Sequence, residues 1–158
     1  MFETTGYWLL DSNLGKISIA YLLTLPLGWL REKEAHSVGV RTFPIVAMAS
    51  CGYLLITKSG PSSDAFTRVL QGLIAGIGFI GGGAILKEGT TIHGAATAAS
   101  IWNTGVIGAA VALGKYDIAV ILAVLNGFTL KFLIPLKMKL AEPGATADTS
   151  APGDAGKK

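Results

Sequence analysis

The feature that most restricts the fold of this chain is a series of long segments without a single charged side chain. Residues 43 to 57, 69 to 86 and 89 to 114 are uncharged, and residues 116 to 136 carry only Asp117 and Lys131. A further apolar run covers residues 14 to 30, with Lys16 near its outer end, where a long stem lets the ammonium reach the interface. A membrane-crossing helix needs about 20 predominantly apolar residues. Three of the five runs meet that length comfortably, and the run at 43 to 57 is short but lies among them. The runs do not alternate apolar with polar residues, so the strands of a transmembrane barrel, about 9 to 11 residues each, are not expected. Only 15% of the 158 residues are charged and 51% are hydrophobic, where soluble domains carry roughly a quarter charged residues.

These runs predict an all-α integral membrane protein of about five transmembrane helices, with glycine- and alanine-rich packing around the third and fourth. The lipid bilayer is its first partner. Residues 1 to 13 form an N-terminal segment, residues 14 to 136 the membrane domain, and residues 137 to 158, which hold no aromatic or large apolar side chain after Leu140, a disordered tail. With five spans, nine Lys and Arg residues fall on one side and four on the other. The positive-inside rule then puts the N-terminus in the periplasm and the tail in the cytoplasm. The N-terminus lacks the basic front of a cleaved signal peptide and is expected to be retained.

Several function classes find no support. The net charge of +3 is small and the basic residues lie between apolar runs, so no nucleic-acid surface is expected. Cys51 is the single cysteine. No Ser, His and acid cluster, zinc pattern or phosphate loop points to an enzyme or a cofactor. A hard cation would call for one or two carboxylates near its path; Asp64, Glu88 and Asp117 stand only at the ends of the runs.

Residues 76 to 81 spell G-x-G-x-x-G, the letters of a dinucleotide-binding turn. Here they lie inside an uncharged run, preceded by helix rather than strand, and residues 95 to 101 supply no acid for a ribose. At helical spacing the same glycines read differently. Gly72 and Gly76 are four apart, as are Gly78 and Gly82, with Gly105 and Ala109 continuing the theme, and small residues so spaced let helices approach closely in lipid. Gly81, Gly82 and Gly83 in succession also leave open an unwound turn, which membranes accept only where protein or a water-filled cavity covers the backbone.

Polar residues add two candidate sites. His93, Thr97, Ser100 and Thr104, at spacings of four, three and four, are expected on one helix face with Asn103 beside them. That face can serve as interhelical hydrogen bonding or as a polar path for a solute. Asp64 and Arg68 open the third run, where Asp64 can cap the helix and pair with Arg68, or Arg68 can contact a partner.

The stretches "GWLREKE", "VGVRTFPIVAMASCGYLL", "DAFTRVLQGLIAGIGFIGGGAILKEGTTIHG" and "AATAASIWNTGVIGAAVALGKY" resemble, in order and spacing, the MgtC/SapB family of bacterial inner-membrane proteins. The resemblance covers roughly residues 14 to 136. It implies about five spans and a non-enzymatic role as a modulator of other membrane proteins under magnesium limitation or in virulence. The alternative is a small channel or transporter for magnesium, another cation or a small solute. A homo-oligomer would give a pore more room than one five-span protomer. Carried over by position, the motif residues are Arg31, Glu32, Arg41, Thr42, Asp64, Arg68, Gly76, Gly78, Gly81, Gly83, Gly94, Thr97 and Trp102. Ala75, Gln71 and Ala96 depart from the family pattern and remove polar groups from the shared core.

Overall fold

The computed structural model describes residues 11–35, 39–58, 63–88 and 91–133. The 137 to 158 tail and nearly all of the 1 to 13 segment lie outside them. Five α-helices form the body: α1 (Asn13–Ala35), α2 (Thr42–Lys58), α3 (Ser63–Gly82), α4 (Ala95–Ala112) and α5 (Tyr116–Phe128), which continues as a π turn over Thr129–Leu133. The protein is all-α and membrane-embedded, as the charge-free runs require. Three helical stretches, Asp64–Gly82, Ala95–Ala112 and Tyr116–Leu133, are long and apolar enough to cross a bilayer, and Thr42–Lys58 is a shorter apolar helix.

The connection between α3 and α4 is built from strand. It is a two-stranded antiparallel ribbon, β1 (Leu86–Glu88) with β2 (Thr91–His93), pairing Leu86 with His93. Its backbone groups satisfy one another across the pair, which an apolar chain needs once it leaves the helix. His93 is therefore an exposed strand residue and not the first member of the polar face on α4. The third helix also starts six residues before the uncharged run, and Asp64 sits inside its first turn rather than at the cap, where a carboxylate favours the positive end of the helix dipole.

Helix ends follow from local chemistry. Pro44 falls in the first turn of α2, where its missing N–H costs nothing. After Leu113, Gly114 adopts φ 75, and its N–H donates to the Val111 carbonyl while that of Lys115 donates to Ala110 at 2.9 Å, closing α4 with paired backbone bonds. Hydroxyls inside the helices donate back to carbonyls one turn earlier: Thr24 to Ala20 and Ser50 to Val46, each at 2.8 Å.

The centre of the bundle is α4, packed chiefly against α2 and also against α1, α3 and α5. Phe43, Leu54, Ile101, Ile107, Val111 and Leu130 are its largest wholly covered apolar side chains. A Cβ on Gly108 would strike the Ala47 carbonyl oxygen, and one on Gly105 would strike the Ile77 side chain, so α4 touches α2 at backbone distance. The glycines of α3 behave otherwise. A Cβ on Gly72, Gly76, Gly78 or Gly82 would meet nothing within 4 Å, and Phe79 is 85% exposed. Among the described residues the seam expected from Gly76 and Gly78 is thus absent, because α3 turns that face outward. Helix α3 runs through Gly81 and Gly82 before the turn at Gly83.

Candidate functional site

Helices consecutive in the chain run in opposite directions. Gly28 of α1 meets Gly39, just before α2. Gly81 near the end of α3 faces Ala98 near the start of α4, and Ser100 of α4 bonds Asn126 near the end of α5. One end of the bundle therefore collects the end of α1, the start of α2, the end of α3, the ribbon, the start of α4 and the end of α5.

Most of the motif residues meet there, although they span residues 31 to 97 in the chain. Arg31 Nε donates to Thr97 Oγ1 at 2.7 Å, tying α1 to the first turn of α4. A charged donor makes such a bond worth about 1.5–3 kcal/mol, and Thr97 is 3% exposed. Glu32 Oε2 accepts the Val40 backbone N–H at 2.9 Å, closing the α1–α2 connection beside the Gly28–Gly39 contact, where a Cβ on Gly28 would stand 2.6 Å from the Gly39 oxygen. Gly94 holds φ 83 at the head of α4, and a Cβ there would strike the Ala84 carbonyl oxygen. A Cβ on Gly81 would come within 3.1 Å of the Ala98 oxygen. Arg41 is exposed, Thr42 is half-buried as the first residue of α2, and Gly83 is an exposed turn residue.

The rest of the polar face runs down α4 from this junction. Ser100 Oγ donates to Asn126 Oδ1 at 3.0 Å, and Asn103 Nδ2 reaches the Leu122 carbonyl at 3.4 Å, so both tie α4 to α5. Thr104 donates to the Ile101 carbonyl of its own helix at 2.7 Å. Thr97, Ser100 and Thr104 are buried, and each has a partner inside the protein. Asn126 Nδ2 is the one buried side-chain nitrogen or oxygen without a partner among the described residues.

The remaining candidates stand apart. Asp64 and Arg68 lie at the opposite end, both exposed, and among the described residues the one ion pair is Lys16 with Asp11 at 2.7 Å. There Lys16, 5% exposed, is anchored by an exposed carboxylate, and its hydrogen bond and charge hold the Asp11 carboxyl below the usual range. Gly76 and Gly78 lie on the outward face of α3, and Trp102 is 47% exposed on α4. Among the described residues no three His, Cys, Asp or Glu side chains gather as a metal site.

Sequence reasoning missed Asn126, Gly28, Gly39 and Gly108. Asn126 carried a signal, being an amide inside an apolar run, where polar groups face protein rather than lipid. The glycines carried none, because a close backbone approach leaves no residue pattern beyond the glycine itself.

The MgtC family model matches residues 17–139. The chain is 33% identical over 147 residues to protein SrpB of Synechococcus elongatus, covering 81% of this chain and 80% of SrpB. It is 31% identical over 111 residues to the uncharacterized protein slr0014 of Synechocystis sp., 70% of this chain but 47% of that one. Against Escherichia coli YhiD, named a putative magnesium transporter, identity is 27% over 134 residues, 79% of this chain and 62% of YhiD. No solved structure matches.

Proposed function

The chain belongs to the MgtC family, and from that premise we propose a multi-pass bacterial inner-membrane protein that modulates other membrane proteins under magnesium limitation, with no enzymatic chemistry of its own. The observation that carries this reading is the state of the polar face. A conduit must offer groups that replace part of a solute's hydration. Thr97, Ser100, Asn103 and Thr104 are instead engaged with Arg31, Asn126, Leu122 and Ile101. The junction of α1, α2 and α4 acts as a rigid frame, and α3 and α5 offer apolar outer faces to neighbours in the bilayer.

All five helices cross the membrane in this reading. The nine-to-four division of Lys and Arg sets the end bearing Arg31 and Thr97 toward the cytoplasm and the end bearing Arg68 toward the periplasm. Cysteine labelling of both termini in intact cells tests it; termini on one side would contradict it.

The second reading, a cation or solute transporter, draws on the name of YhiD and on Asn126 Nδ2, a buried donor open to a further partner. Growth of a deletion strain in low magnesium separates the two. A modulator keeps its packed surface without individual hydroxyls, so Ser100→Ala and Thr104→Val should restore growth as wild type does. Loss of growth in both, with protein levels unchanged, would favour transport.

A further inference from the structure

Helices α2 and α3 touch little and splay apart, leaving a cleft of about 490 Å³ open on the outer surface. Its walls include Ile45, Ala49 and Tyr53 from α2 and Gly72, Gly76 and Ile80 from α3. The lining is apolar apart from the Tyr53 phenol and Ser50, whose hydroxyl donates to Val46. Because Gly72 and Gly76 carry no side chain and nothing else fills their Cβ positions, they make the α3 wall of a slot rather than a packed contact.

We propose that this cleft binds one acyl chain of an anionic phospholipid, with the phosphate held at Arg68. This site is independent of the modulator and transporter readings. Two dimensions select the occupant. Along α3 the lining runs from Val69 to Ile80, about 16 Å at the helical rise of ~1.5 Å per residue. That is half of a hydrocarbon core about 30 Å thick, the depth one acyl chain reaches from its headgroup. Spread over that length, the volume makes a narrow slot, and its depth and apolar walls suit a single hydrocarbon chain.

Charge at the mouth selects the headgroup. Arg68 precedes Gly72 by four residues and Gly76 by eight, so it heads the same stripe of α3, one turn toward the membrane edge, and is exposed. Lys58, exposed at the end of α2, adds a second cation at that end of the bundle. The exposed Asp64, one turn beyond Arg68, and Asp11, within electrostatic reach of Lys58, offset part of this charge. The guanidinium forms paired hydrogen bonds to phosphate oxygens. Tyr53, lining the cleft while 57% exposed, offers the amphipathic ring that favours the interface.

Native mass spectrometry of the purified full chain tests the site, using phosphatidylglycerol and phosphatidylcholine of identical chains added in detergent. Wild type should retain one phosphatidylglycerol at a level at least five-fold above phosphatidylcholine. Gly76→Leu should reduce both lipids to background by filling the slot, and Ala49→Leu should do so from the opposite wall should the first variant fail to fold. Arg68→Ala should abolish the headgroup preference while residual binding of both lipids persists. Equal retention of the two lipids by wild type, or unchanged phosphatidylglycerol in both leucine variants, would overturn the proposal. So would a shift from oligomer to monomer in Gly76→Leu without a change in bound lipid, since the cleft would then receive another copy of the chain.

Discussion

Helices α3 and α4 carry the same sequence signal and use it in opposite ways. Both place small residues at spacings of three and four. On α4, Gly105 and Gly108 face Ile77 and the Ala47 backbone, and eleven of its eighteen residues are buried. On α3, Gly72 and Gly76 face open space and only a small share of the helix is covered. Small residues permit close approach, but they do not supply the partner. What distinguishes the helices is position. The ribbon and the short connections hold α4 among four neighbours, whereas α3 has one face for α4 and leaves the other to the bilayer.

That contrast can be broken by substitution. Gly108→Leu should have the largest effect, because its side chain would have to displace backbone of α2 rather than a flexible side chain. Overpacking typically costs about 1–3 kcal/mol and occasionally more, and this position should exceed ~3 kcal/mol, seen as loss of monodisperse protein in detergent. A folded Gly108→Leu protein with an unchanged melting temperature would refute the α2–α4 contact.

Next in size is the Arg31–Thr97 bond. Arg31→Met and Thr97→Val should each destabilise by about 1.5–3 kcal/mol, the range for a charged hydrogen bond. In a double-mutant cycle their effects should fall short of additive, since both remove the same bond. Full additivity would separate the two residues.

Ser100→Ala should cost less, near the ~0.6 kcal/mol average for interhelical hydrogen bonds in membranes, because it leaves Asn126 able to turn its amide. Smallest of all, Gly76→Leu should shift stability by less than about 0.5 kcal/mol, as expected at a surface position. A large loss there would mean that α3 is packed against something in the assembled protein, and the contrast between α3 and α4 would vanish.

The sequence made some of this legible and hid the rest for physical reasons. Charge-free runs report burial in lipid, so the helices were readable. The spacing of Thr97, Ser100 and Thr104 placed them on one face, because helical periodicity is a local property. His93 failed the same test, since Gly94 at positive φ interrupts the helix between them. The pairing of Arg31 with Thr97 lies 66 residues apart, and no local pattern encodes a partner at that distance. The glycines mark where backbone can approach backbone; which of them do so depends on how the helices are arranged.

The proposed modulator role requires that the intramembrane polar groups, held by partners inside the protein, leave no route for an ion, and magnesium flux into proteoliposomes tests it most directly. Wild-type protein, reconstituted at a verified density, should admit no more magnesium than empty vesicles, and Ser100→Ala should match it. Saturable wild-type flux that Ser100→Ala abolishes would contradict the account.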